Sequence, residues 1–105
     1  MGGNTLSTEK AADIRNRMTE LLRNEMPVLR AKARVSQEEL AEKIGISRQT
    51  YSSFETGKRE MSWTTFLALI AFFQNNESTR QMLEGINCLS EGRTLIMEHN
   101  YNENR

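Results

Sequence analysis

With one cysteine, one histidine and one proline in 105 residues, this chain has few of the residues that build most small functional sites. A lone cysteine, Cys88, cannot form an internal disulfide framework, so a reducing, cytoplasmic setting is expected. Cys88 reads as a small buried apolar residue. His99 stands beside a polar tail with no second ligand at metal spacing, and reads as a solvated histidine. No cofactor is expected. No stretch approaches the ~20 apolar residues of a membrane span. The longest, "FLALIAFF" from Phe66 to Phe73, suits a core helix. The first ten residues lack the basic-then-apolar layout of an export signal, so none is expected. A phosphate-cradling glycine loop is missing, as is a nucleophile beside a base, so the chain is not expected to be an enzyme. The adjacent Glu38 and Glu39 are explained by helix capping and the helix dipole.

A surplus of charge is also missing: 14 basic residues balance 14 acidic ones. That balance argues against a sequence-indifferent nucleic-acid binder, which needs more positive charge. The average hides a division. Residues 28–60 hold seven cations against five acids, whereas residues 61–105 hold three against five. Any anion-binding surface is therefore expected in the middle of the chain.

What is present is helical punctuation. Ala11, Ile14, Met18, Leu21 and Leu22 repeat at steps of three and four, predicting a helix from about Thr8 to Asn24. Pro27 suits the first turn of a short second helix rather than an interior. In "SQEE", Ser36 and Glu39 form a capping box that starts a third helix, and Gly45 stops it. Ser47 caps a fourth helix to about Glu55, ending at Gly57. Ser62 caps a fifth through about Gln74. "STRQ", Ser78 to Gln81, repeats the capping pattern and predicts a sixth helix carrying Met82, Leu83 and Ile86. Leu95, Ile96 and Met97 suggest a docked segment, and the last eight residues a frayed tail. The expected division is a helical extension over 1–25, a central domain over 26–75, and a C-terminal helical extension and tail over 76–105.

Between Gln37 and Glu55 the apolar residues answer to packing. Leu40, Ala41 and Ile44 share one helix face, and Tyr51 and Phe54 share a face of the next. Ala41 lies where the two would cross, Gly45 makes the turn, and Ile46 plugs the corner. Two short helices joined by a tight glycine turn form a helix-turn-helix unit. With Tyr51 and Phe54 inward, Ser47, Arg48, Gln49, Ser52, Ser53 and Thr56 face outward, and that face carries no acid. Its guanidinium, carboxamide and hydroxyls are groups that can read base edges in a major groove. A merely solvated face is usually rich in Glu and Lys; this one is short of both.

These residues, with "LRAKARVS" before them and "TGKR" after, resemble the Cro/repressor-type helix-turn-helix family of xenobiotic-response-element-like regulators. The match rests on "SQEELA", "GIS", Gln49-Thr50 and Glu55 to Arg59, and covers roughly Pro27 to Phe73. The resemblance implies an all-α, lambda-repressor-like bundle, here with an added N-terminal helix and a C-terminal extension. It implies a cytoplasmic, sequence-specific transcription regulator of the repressor type that binds double-stranded operator DNA. Gln37 would contact phosphate or an adjacent base, Ser47 would stand at the start of the reading helix, Arg48, Gln49, Ser52 and Ser53 would read bases, and Lys58 and Arg59 would hold phosphate. Tyr51 stands where the family often has Ile or Val, and Met61 where it often has Pro. Tyr51 could thereby alter the helix angle and the base register.

The competing class is an antitoxin or anti-repressor whose terminal extensions bind a partner protein. Zero net charge favours it; the acid-free face and the Lys58-Arg59 pair disfavour it. Outside the motif, the apolar stripe of the N-terminal helix and the many-sided apolar helix 62–74 both need cover. Either the N-terminal helix folds back on its own domain or the surfaces meet across a homodimer. The dimer is the expectation, with a pseudo-palindromic operator.

Overall fold

The computed structural model describes the backbone of residues 2–9 and residues 10–86 in full, and within them every regular element is an α-helix. They are α1 (Gly2–Ala33), α2 (Gln37–Ile44), α3 (Arg48–Glu55), α4 (Trp63–Asn75) and α5 (Glu77–Glu84). The expectations for Cys88, His99, the Leu95–Met97 segment and the tail lie outside the described residues.

The three serine caps form as their spacing requires. Ser36 Oγ accepts the Glu39 amide at 3.0 Å while Glu39 Oε1 accepts the Ser36 amide at 2.9 Å. The Ser36 amide donating to the carboxylate, helped by the neighbouring Ser36 hydroxyl, holds the Glu39 carboxyl below the usual carboxylate range. Ser47 accepts the Thr50 amide, and Ser62 the Thr65 amide. Between α2 and α3, Gly45 adopts φ +80°, a left-handed conformation that an L side chain resists. The turn closes as the Ile46 amide reaches back to the Ala41 carbonyl at 3.0 Å.

Besides the start of α1, at Gly2 rather than near Thr8, two helix boundaries differ from the sequence reading. Pro27 does not start a new helix; α1 runs through it without interruption. An interior proline costs ~3 kcal/mol. Continuity, however, puts Met26 and Leu29 on the same stripe as Met18 and Leu22, and all four are no more than 1% exposed. Two additional side chains buried at roughly 1.5–3 kcal/mol each can offset the proline. Pro27 itself lies on the exposed side, where the carbonyl it orphans can meet water. At the other boundary Asn76, not Ser78, caps α5: its Oδ1 accepts the Ser78 amide at 2.9 Å. Thr79, three residues after the cap, is fully buried and donates to the Phe73 carbonyl at 2.6 Å, locking α5 against the end of α4.

The buried side chains form a single cluster drawn from all five helices. Helix α1 packs against α3, α4 and α5, while α2 rests on α3 and α4. The N-terminal helix therefore folds back on its own domain, and this is what covers α4. Leu69 and Phe73 are 0% exposed, and Phe66 is at 1%. Leu21, expected in the stripe of α1, instead sits at its edge, 36% exposed. Within the motif, Leu40, Ala41, Tyr51 and Phe54 are buried as expected, with Ile44 and Ile46 partly buried against them.

Candidate nucleic-acid interface

Helix α3 is positioned by a polar cluster on its inner side. Glu55, at its C-terminal end, receives Arg30 Nε at 2.6 Å and Nη2 at 3.2 Å, a two-pronged ion pair from α1. Tyr51 OH donates to the same carboxylate at 2.5 Å, and Gln37 Nε2 donates to its other oxygen at 3.0 Å. One carboxylate thus ties the end of α3 to α1 and to the first turn of α2. The side chain of Glu55 is only 8% exposed. Burial pushes its carboxyl up, but the hydrogen bonds from Arg30, Tyr51 and Gln37 and the charge of Arg30 together outweigh burial and leave it below the usual range. Burial pushes the Tyr51 phenol up strongly, and its bond to Glu55 adds to this, so the hydroxyl keeps its proton and acts as a donor. Tyr51 thereby has a role that the Ile or Val of related chains could not fill.

The outward side of α3 is different. Arg48, Gln49, Ser52, Ser53, Thr56 and Lys58 line one open groove. A second groove beside it is lined by Gln49, Thr50, Ser53, Lys58 and Arg59. Seven of the eight expected site residues are therefore on or beside this surface: Ser47 at the start of α3, Arg48, Gln49, Ser52 and Ser53 along it, Lys58 and Arg59 just past it. Gln37 lies apart, its carboxamide engaged with Glu55.

The hydroxyls on this face are not equivalent. Ser53 donates to the Thr50 carbonyl at 2.6 Å, and Thr56 donates to the Ser52 carbonyl at 3.1 Å. Ser47 is occupied by the cap, accepting the Thr50 amide and donating to Thr50 Oγ1 at 2.9 Å. These three can accept from a base edge but have no proton left for phosphate. Among the described residues, the side chains of Arg48, Gln49, Ser52, Lys58 and Arg59 make no hydrogen bond or ion pair, and so keep their donors for a ligand. No acid lines either groove. An electropositive, donor-rich helix face beside two exposed cations suits a polyanion with readable edges.

Sequence reasoning missed the Arg30–Glu55 tie. Its partners are 25 residues apart, so no local spacing marks it. The one available signal was Glu55 itself, the sole acid between Ser47 and Arg59.

Residues 29–77 match the helix-turn-helix family. No curated protein and no solved structure matches the chain.

Proposed function

We propose that this chain, whose residues 29–77 match a helix-turn-helix family of DNA-binding transcription regulators, is a cytoplasmic, sequence-specific repressor of the Cro/repressor type. In this reading α3 lies in the major groove. Arg48 and Gln49, on the first turn, address base edges: Arg suits guanine O6 and N7, Gln suits adenine N6 and N7. Ser52 and Ser53 reach bases from the next turn, Ser53 as an acceptor. Lys58 and Arg59 hold the flanking phosphates. Ser47 shapes the start of α3, and Gln37 sets the angle of α2 against it. The observation that carries the reading is the acid-free groove in which Arg48, Gln49, Ser52 and Lys58 stand together.

The protein works as a homodimer on a pseudo-palindromic operator, with recognition helices about one DNA turn, roughly 34 Å, apart. Bound there, it represses by occupying the site. Selection of binding sequences from a randomised duplex pool tests this directly. The expected result is an enriched site with two related half-sites. A pool that stays random after repeated rounds would sink sequence-specific recognition. Light scattering checks the dimer: a protein monomeric at high micromolar concentration, binding a half-site as tightly as a palindrome, defeats that part.

A further inference from the structure

A cation outside the matched segment lies against the loop that ends the recognition helix. At Gly57, which closes α3 with φ +79°, a Cβ built on the backbone would sit 2.6 Å from Nη1 of Arg23. The guanidinium of Arg23, carried by α1, is thus laid over the residue directly before Lys58 and Arg59. Arg23 and Arg59 line a common open groove with Asn16, Glu20 and Glu60. Arg59 also lines a groove on the recognition side, so it borders both.

We propose that Arg23 is a DNA-backbone contact, a third cation of the Lys58–Arg59 phosphate clamp, contributed by α1. The inference rests on the regulator reading above and extends its footprint beyond residues 29–77. Along one strand phosphates recur every 3.4 Å of helix axis, so a strand held by Lys58 and Arg59 offers a neighbouring phosphate to a cation lying against their loop. Arg23 is only weakly held. Its ion pair with Glu20 spans 3.9 Å, at side-chain exposures of 32% and 68%. An exposed pair at that separation is worth little and exchanges readily for phosphate. Glu20 and Glu60, at the same groove, oppose the strand and keep the contact modest. A cation at this place also complements the C-terminal dipole of α3, so a purely structural role for Arg23 must be separated from contact.

The test is titration of the full chain with mixed-sequence double-stranded DNA across a salt series, for wild type, Arg23→Gln, Arg23→Lys, Glu20→Gln and Lys58→Ala. Phosphate contact predicts that Arg23→Gln lowers the log–log salt slope by about one unit and binds about fivefold more weakly at physiological salt. Arg23→Lys should keep the slope, and Glu20→Gln should tighten binding at each salt concentration. Melting curves of the same variants report any loss of fold. A wild-type slope in Arg23→Gln, with Lys58→Ala showing its own loss, overturns the proposal while leaving the regulator reading intact. So does a lowered melting temperature in Arg23→Gln with no change in slope. A wild-type protein that binds no duplex at any salt overturns both.

Discussion

Gln37 and Gln49 carry the same carboxamide in the first turn of successive short helices, yet they belong to different regions of the molecule. Gln37 donates to Glu55 at 3.0 Å and shares that carboxylate with Arg30 and Tyr51. Gln49 is exposed and lines both outer grooves. The difference is made by what lies across from each. The end of α3 passes the start of α2 and puts a carboxylate against Gln37, whereas Gln49 meets no side-chain partner among the described residues. The cationic residues divide the same way: Arg30 is used to hold helices together, and Arg48, Lys58 and Arg59 are left to meet a ligand. The inner region fixes the geometry that the outer region presents.

The strongest way to break this comparison is to remove its pivot. Glu55→Ala leaves the Arg30 guanidinium, the Tyr51 hydroxyl and the Gln37 amide without their acceptor. Removing one partner of a buried pair costs ~3–5 kcal/mol. Replacing the pair by Arg30→Met with Glu55→Leu should recover much of that loss. The same group sets an acid limit. Because the folded-state pKa of Glu55 is lowered, its contribution is fully present above the unfolded value of ~4.3 and is lost as pH falls through the lower folded value. Denaturant titrations at a series of pH values read both effects. A Glu55→Ala protein as stable as wild type would show that the cluster is ornamental.

Next in size is the crossing that keeps α2 and α3 at a fixed distance. Ala41 is 1% exposed, so Ala41→Leu must force methylenes between packed helices at ~1–3 kcal/mol. An unchanged melting temperature would place Ala41 outside the crossing.

The two glutamines can be compared directly by DNA binding. Gln49→Ala should lower affinity for the selected site by ~1–3 kcal/mol and leave mixed-sequence binding nearly unchanged. Gln37→Ala, which loses a hydrogen bond to a charged group, should instead cost ~1.5 kcal/mol of stability and weaken all sequences alike. If Gln37→Ala changes sequence preference as Gln49→Ala does, the division between holding and reading residues fails.

Much of this was legible in the chain because it is written locally. Ser36, Ser47 and Ser62 mark helix starts within three residues, Gly45 and Gly57 mark ends, and Tyr51 and Phe54 give the phase of α3. What was not legible depends on distant partners. Pro27 reads as a boundary until the burial of Met26 and Leu29 is known. Ser78 resembles a cap until Asn76, two residues earlier, takes the Ser78 amide. Nothing near Gln37 in the sequence reveals its bond to Glu55. The fold-back of α1 was one of two arrangements the apolar stripes allowed, and only the packing of α1 against α3, α4 and α5 decides it within the chain.

The smallest effect sharpens the outer half of the comparison. Lys58 is exposed, lines both outer grooves, and has no carboxylate partner among the described residues. Its removal should therefore leave the fold untouched, unlike that of Glu55 or Ala41. If it meets one phosphate, Lys58→Ala releases one fewer counterion on binding, and the log–log salt slope falls by about one unit. Extrapolated from molar salt to physiological salt, that slope is worth about 1 kcal/mol, and equally so on every sequence. Gln49→Ala should show the reverse pattern, a sequence-dependent loss with the slope retained. Fluorescence anisotropy on selected and mixed-sequence duplexes across salt separates the two. A Lys58→Ala protein with the wild-type slope would remove Lys58 from the interface and leave phosphate contact to Arg59 and its neighbours.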